Sequence, residues 1–300
     1  MTPHLHHFIP KTILCTLLAI AWTQSGIAQT QELTSDEHSE DQNQSAAELG
    51  KKASNPLSSS WLLQTQQNTN WVNMPLEMGN RVQSNLLFQP LMNFKMTDNW
   101  TLFVRPVMTL FNSTPFVNSS RDKERATAFG DTVLAFAASP RPFLNGHLTV
   151  AAGPTFIFPT ATDHLLGQHD WQLGPDVGIV WSGKHFLAYV FPQQWFKIGG
   201  GGAKTSQLST NWDFTYFLNG GWSLGTSPNF LVDWQAPRDQ RVTFPIGPQI
   251  GKLCKCGHTP TLFQLQFQYY PIHPSVYGPK WNIQLTITPT IPPLIKRAIF

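Results

Sequence analysis

Five charged side chains sit inside segments that otherwise alternate apolar and polar residues: Arg105, Asp131, Asp176, Asp213 and Asp233. In an extended strand, alternate side chains point to opposite faces. On that rule Arg105 shares its face with Thr101 and Thr109, and Asp176 with Gln172. Asp213 goes with Asn211, and Asp233 with Ser223 and Asn229, while Arg81 also falls on the polar side. Charges collected on one polar face, opposite an apolar one, can act in two ways. They can line a solute path and filter what passes, or they can pair across a confined space and tie facing walls together. Pairing is the expectation, because charges held in a narrow interior seek counterions.

Other groupings offer less chemistry. Asp163, His164, His169 and Asp170 cluster in one loop and could bind a metal, but a solvated loop explains them and is the expectation. After export only Cys254 and Cys256 remain, and a lone C-x-C lacks the second pair of a zinc site. They read as two thiols in a turn, with a disulfide to another protein as the alternative. Gly199 to Gly202 followed by Lys204 lacks the spacing of a phosphate-binding loop. There is no G-x-S-x-G elbow, and no histidine-supported serine stands out on any strand. No enzyme activity, metal or cofactor is therefore expected. The basic residues are too scattered for a nucleic-acid stripe.

The elements that must position these residues are strands. Charged residues make up 12% of the 300, about half the usual share for a soluble domain. Aromatic residues are as frequent, at 12%, and 21 Gly and 24 Pro punctuate the chain against long helices. From Trp61 onward about twelve segments show period-2 patterning: 60–68, 81–91, 100–111, 130–138, 148–158, 171–181, 185–195, 210–218, 222–233, 242–250, 261–270 and 281–288. In the clearest, Phe263, Leu265, Phe267 and Tyr269 oppose Gln264, Gln266 and Gln268. Likewise Trp281, Ile283, Leu285 and Ile287 oppose Asn282, Gln284, Thr286 and Thr288. Connections near 97–98, 182–184 and 219–221 are short, 139–146 and 253–260 are intermediate, and 112–129, 160–170 and 196–209 are long. Trp61, Trp100, Trp171, Trp181, Trp212, Trp222, Trp234 and Trp281 fall near strand ends, where indole favours a hydrocarbon–water boundary.

This pattern predicts an all-β fold: a transmembrane antiparallel up-and-down β-barrel of about 12 strands, closed because a sheet in lipid cannot leave an open edge. Its partners are membrane lipid and an unidentified small solute. Residues 1–28 read as a cleaved secretory signal, with Lys11, an apolar run Ile13–Trp22 and a small-residue site at Gly26-Ile27-Ala28. Between Thr30 and Gly50 there are six acids and no Lys or Arg, against 19 basic and 11 acidic residues from Lys51 onward. Residues 29–58 are read as a disordered acidic, polar tail with a short helix at 45–54, residues 59–288 as the barrel, and 289–300 as a Pro-rich extension. A final Phe commonly marks the last strand for the outer-membrane assembly machinery, but Pro289, Pro292 and Pro293 argue against a strand ending at Phe300.

Several short blocks resemble a family of bacterial outer-membrane proteins known as transporters or as phenol-degradation meta-pathway proteins, some under a "neuromedin U" label. They are Gly130-Asp131-Thr132, Pro159 to Asp163, the paired steps Gly153-Pro154 and Gly174-Pro175, Asp233-Trp234 with Ala236, Pro245-Ile246-Gly247 through Gly251-Lys252, Leu265-Gln266 with Tyr269-Tyr270, and Gly278-Pro279-Lys280-Trp281. Pro248-Gln249 departs from the family's usual glycine. The resemblance implies an outer-membrane β-barrel and a transport role, and it carries no catalytic residues. The resulting expectation is a passive channel for small solutes, aromatic ones among them. The alternative is a structural or interaction barrel plugged by its N-terminal segment. An outer-membrane hydrolase stands third.

Overall fold

A computed structural model describes residues 46–75, 79–118, 120–295 and 298. The expected signal segment 1–28, the tail up to residue 45 and Phe300 lie outside the described residues. A single helix, α1 (46–54), precedes the sheet. Twelve strand walls then follow in a meander. They are β1 (Trp61–Asn73), β2 (Asn80–Lys95), β3 (Trp100–Val117), β4 in two pieces (Lys123–Ala128 and Thr132–Pro140), β5 (Leu148–Phe158), β6 (Asp170–Ser182), β7 (Phe186–Gly200) and β8 (Ser206–Phe217). The last four are β9 (Trp222–Thr226 and Asn229–Asp233), β10 (Val242–Ile246 and Gln249–Cys256), β11 (Thr259–Ile272) and β12 (Pro279–Ile291). Each pairs antiparallel with its sequence neighbours, and β12 pairs back onto β1, from Trp61↔Ile291 to Val72↔Pro279. The chain is thus a closed 12-stranded antiparallel barrel.

The faces are inverted relative to a water-soluble protein. On β11 Gln266 and Gln268 are buried inside while Leu265, Phe267 and Tyr269 are exposed outside; on β12 Asn282 and Thr286 are inside while Ile283 and Leu285 are outside. Apolar residues facing outward around a closed wall are what hydrocarbon requires, and polar residues inside are what a lumen tolerates. The aromatic ends follow the same logic. Trp100, Trp181 and Trp222 are exposed at the end that carries α1 (the near end), and Trp171, Trp234 and Trp281 are exposed at the opposite, far end. Trp61 is buried instead, donating to Asn93 O at 3.0 Å and meeting Phe94 edge to face. Trp212 lies in mid-wall, because β8 begins at Ser206 rather than at 210.

Three connections and the end of the chain differ from expectation; the first, 196–209, is mostly strand, since β7 runs to Gly200 and β8 begins at Ser206, leaving a loop of 201–205. Residues 112–129 are mostly strand: Asn112–Val117 of β3 pairs with Lys123–Ala128 of β4, so this hairpin continues beyond the stretch where Trp100–Met108 pairs with Thr132–Pro140. Alternating hydroxyl residues support it, Ser113 Oγ and Thr127 Oγ1 being 3.0 Å apart. The 253–260 stretch is a tight hairpin around Gly257-His258, where Gly257 takes φ +62°, so Cys254 and Cys256 belong to β10 and are free thiols. At the end of the chain, Pro289 pairs with Thr261 and strand structure continues to Ile291. The Gly-Pro steps on β5 and β6 face each other, Pro154↔Pro175 and Thr155↔Gly174. A Cβ on Gly174 would lie 1.6 Å from Gln194 O, which is why glycine stands there.

Candidate functional site

The barrel interior has two zones. At the near end, inward apolar side chains from successive walls, including Leu62, Leu91, Phe103, Val180, Leu187 and Phe217, pack around Leu57 in one buried cluster, with Ala47 of α1 against it. Lys51 of α1 fixes the helix there, its Nζ donating to Gly183 O at 3.2 Å and Lys184 O at 3.1 Å in the β6–β7 turn. This cluster and α1 together occupy the near end of the interior as its floor.

Above the floor lies a cavity of about 540 Å³ that begins at Ala53 and Ser54 and reaches Gln83 and Pro279 near the far end. Sixteen of its 34 lining residues are Asn or Gln, and Arg105 and Asp213 are the only charged ones. Eleven of those amides come from β11, β12, β1 and β2, forming one continuous wall. They bond to one another in a directed chain: Arg105 Nη2 donates to Gln89 Oε1 at 2.6 Å, Gln89 to Gln66 at 3.0 Å, Gln66 to Asn68 at 3.1 Å, and Asn68 to Asn85 at 2.8 Å. Asn282 joins the chain, donating to Gln268 at 2.9 Å and to Asn68 at 3.3 Å. The facing wall brings Tyr189, Trp195, Asn211 and Asp213. Trp195 is turned inward, its indole N–H on Thr155 Oγ1 at 3.1 Å.

The five charges expected on the polar face are therefore dispersed. Arg105 is in the lumen, but its short bond is to an amide. Asp176 shares a side cavity of about 40 Å³ with Arg105, yet no ion pair forms between them among the described residues. The ion pairs present there are Lys95–Asp98, Asp163–His164 and Lys197–Asp170. The expected strut network is not formed. Amides do the bridging instead, since each can donate and accept without a counterion. Asp213 is buried against the cavity, with Oδ1 unpartnered. Asp131 is not a lumen group: it sits at the break in β4 and accepts from Ala161 N at 3.1 Å and Gln168 N at 2.8 Å, pinning the β5–β6 loop. Thr160 and Thr162 bond to Gly130 and Phe129 beside it, so two of the resemblance blocks, Gly130–Thr132 and Pro159–Asp163, form one structural unit. Asp233 lies exposed at the far rim, accepting from Gln235 N at 2.9 Å.

Asp170 leaves the histidines of its loop. Fully buried, it meets Lys197 Nζ at 2.7 Å and Gly202 N at 2.9 Å, so the glycine run is a latch at the far mouth. Asp163, His164 and His169 thus do not converge with it on one point. The Ser227-Pro228 and Gly247-Pro248 interruptions of β9 and β10 are bridged by Thr226 Oγ1 donating to Gly247 O at 2.7 Å, and the Gln266 amide, turned to the orientation that satisfies both groups, accepts from Ser227 N at 3.0 Å and donates to Ser227 O at 3.2 Å. A backbone that loses ladder partners to proline is thereby kept satisfied. Outside the walls, Asp239 and Ser275 link two far loops at 3.0 Å, and bonds from Gln240 and Ser275 hold the Asp239 carboxyl below its usual range.

No protein-family model and no curated protein sequence matches the chain. Among solved structures it is similar to an outer membrane channel from Pseudomonas putida F1, with TM-score 0.59 and 12% identity over 77% of this chain and 95% of that one. A Pseudomonas aeruginosa FadL homologue gives TM-score 0.40 at 9% identity, over 80% of this chain and 92% of that one. The first likeness is one of fold.

Proposed function

We propose that this protein resides in a bacterial outer membrane, reached through export by the 1–28 signal, and forms a passive channel for small polar solutes that is closed at the near end by α1. One observation carries the reading: an outward-apolar closed barrel encloses a cavity lined mainly by uncharged polar groups, and that cavity ends on α1. Short near-end turns and longer far-end connections support a near end facing the periplasm. The fold shared with an outer membrane channel agrees with the location. Aromatic solutes, expected from the family resemblance, fit less well, because the lining offers mainly amides and hydroxyls and few aromatic faces. Delivery by the outer-membrane assembly machinery belongs to the same reading.

A second reading has its own support in the apolar floor: a structural barrel whose lumen never opens. Planar-bilayer recording separates the two. The full barrel should conduct little, and a chain lacking 46–57 should conduct steadily. Lys51→Glu, which sets a carboxylate against the Gly183 and Lys184 carbonyls, should raise the frequency of openings. A chain lacking 46–57 that inserts but does not conduct would favour the structural barrel.

A further inference from the structure

The lumen chemistry points beyond a general polar pathway. A charged solute needs a surplus of the opposite charge along its path, but the cavity lining carries one Arg and one Asp. An apolar or aromatic solute needs apolar walls, and here sixteen lining residues are carboxamides and eight are Ser, Thr or Tyr. Carboxamides present donors and acceptors together, as do the hydroxyls of a polyol. The cavity volume of about 540 Å³ also falls within the roughly 300–1,000 Å³ of small-molecule sites.

Several lining groups lack protein partners. Gln249 and Asp213 are each 4% exposed, and Gln249 Nε2 and Asp213 Oδ1 form no hydrogen bond. Ser54 Oγ, on the floor, is buried and unpaired as well. Among the described residues the side chains of Gln64 and Gln264 also make no hydrogen bond, although both line the cavity. Gln64 and Gln264 are only half-buried, so their unpaired amides are open to a solute in the cavity, whereas the buried unpaired atoms call for an explanation of their own. Both glutamines belong to the amide wall, and Tyr189 and Trp195 add aromatic surface on the facing side.

We propose that the lumen is a binding site for a neutral polyhydroxylated solute of saccharide type, its hydroxyls exchanging hydrogen bonds with the unpaired amides of Gln64 and Gln264 on the amide wall. This deepens the channel reading and rests on it for the solute's passage, while binding itself is measured separately.

The test uses the full refolded barrel in detergent, titrated calorimetrically with sucrose, with benzyl alcohol as aromatic probe and benzoate as anionic probe. Sucrose should bind, with benzyl alcohol and benzoate much weaker. Gln64→Leu and Gln264→Leu break no internal bond, so they should fold and should each weaken sucrose about two- to tenfold, the worth of one hydrogen bond. Preferential binding of benzyl alcohol or benzoate, or sucrose affinity unmoved by Gln64→Leu and Gln264→Leu in barrels that fold, would overturn the proposal. If the chain lacking 46–57 conducts ions while the intact barrel binds no sucrose, the saccharide site fails and the channel stands. Sucrose binding in a barrel that never conducts would support the site and sink the channel instead.

Discussion

The assignment of faces can be tested at one residue step. On β12, Trp281 marks the far aromatic end, and Ile291, ten residues on, pairs with Trp61 at the near end. At about 3.3 Å per residue and a tilt of about 40°, those ten residues cover about 25 Å along the membrane normal, matching the apolar band of such barrels. Leu285, four residues from Trp281, then lies about 10 Å inside the far boundary, close to the midplane. It faces outward and is 41% exposed. Leu285→Arg should cost about 2–4 kcal/mol of folding free energy in bilayers, or about 30- to 700-fold in the folding equilibrium. Ile283→Arg, about 5 Å inside the boundary, should cost less, and Gln284→Arg, which enters the polar cavity, least of all. Urea titrations of folding into vesicles, read by heat-modifiable electrophoretic mobility, give all three values. Equal losses at 284 and 285, or no loss at 285, would show that the inside–outside assignment of β12 is wrong. A larger loss at 283 than at 285 would move the membrane boundary.

Arg105→Ala should lower stability by about 1.5–3 kcal/mol, the worth of a hydrogen bond to a charged group, since Gln89 loses its donor; denaturant midpoints measure it. In the conducting chain without 46–57, the same change should shift the reversal potential toward cations, because Asp213 then lacks its balancing charge. Asp170→Asn should free the 201–205 loop by weakening the buried contact to Lys197, so trypsin should cut at Lys204 faster than in the unaltered protein. Gly174→Ala should block folding or shift the β6–β7 register, because its Cβ would overlap the Gln194 carbonyl; failure to recover the folded band checks this, and normal yield would refute the steric argument.

Strand number and facing were legible because period-2 alternation is local, and a one-residue slip would put every glutamine of β11 into hydrocarbon. The strand structure within 112–129 is not legible locally, because its hydroxyl-rich, charged sequence resembles a loop while its pairing depends on two segments meeting. Trp195 illustrates the same limit from the other side. An indole near a strand end suggests the lipid boundary, and only the placement of Thr155 shows that it turns inward.

The interior chemistry was harder to read for a physical reason. Charges draw attention in a sequence because they are costly to bury, so Arg105 and the aspartates stand out as the expected lumen set. Asn and Gln on alternating positions look like ordinary polar filler until closure brings four strands' worth of them onto one wall. There they do what an ion-pair network was expected to do, and at less desolvation cost, because a neutral amide enters a narrow space more cheaply than a charge. Closure also decides the role of α1. Its sequence shows only a short helix after an acidic stretch, whereas its seat depends on Lys51 meeting carbonyls more than 130 residues away. With the ends of the lumen set by such long-range contacts and its lining set by strand parity, the proposed solute follows from what the lining leaves open and unpaired: carboxamides that both donate and accept, suited to a molecule that does the same.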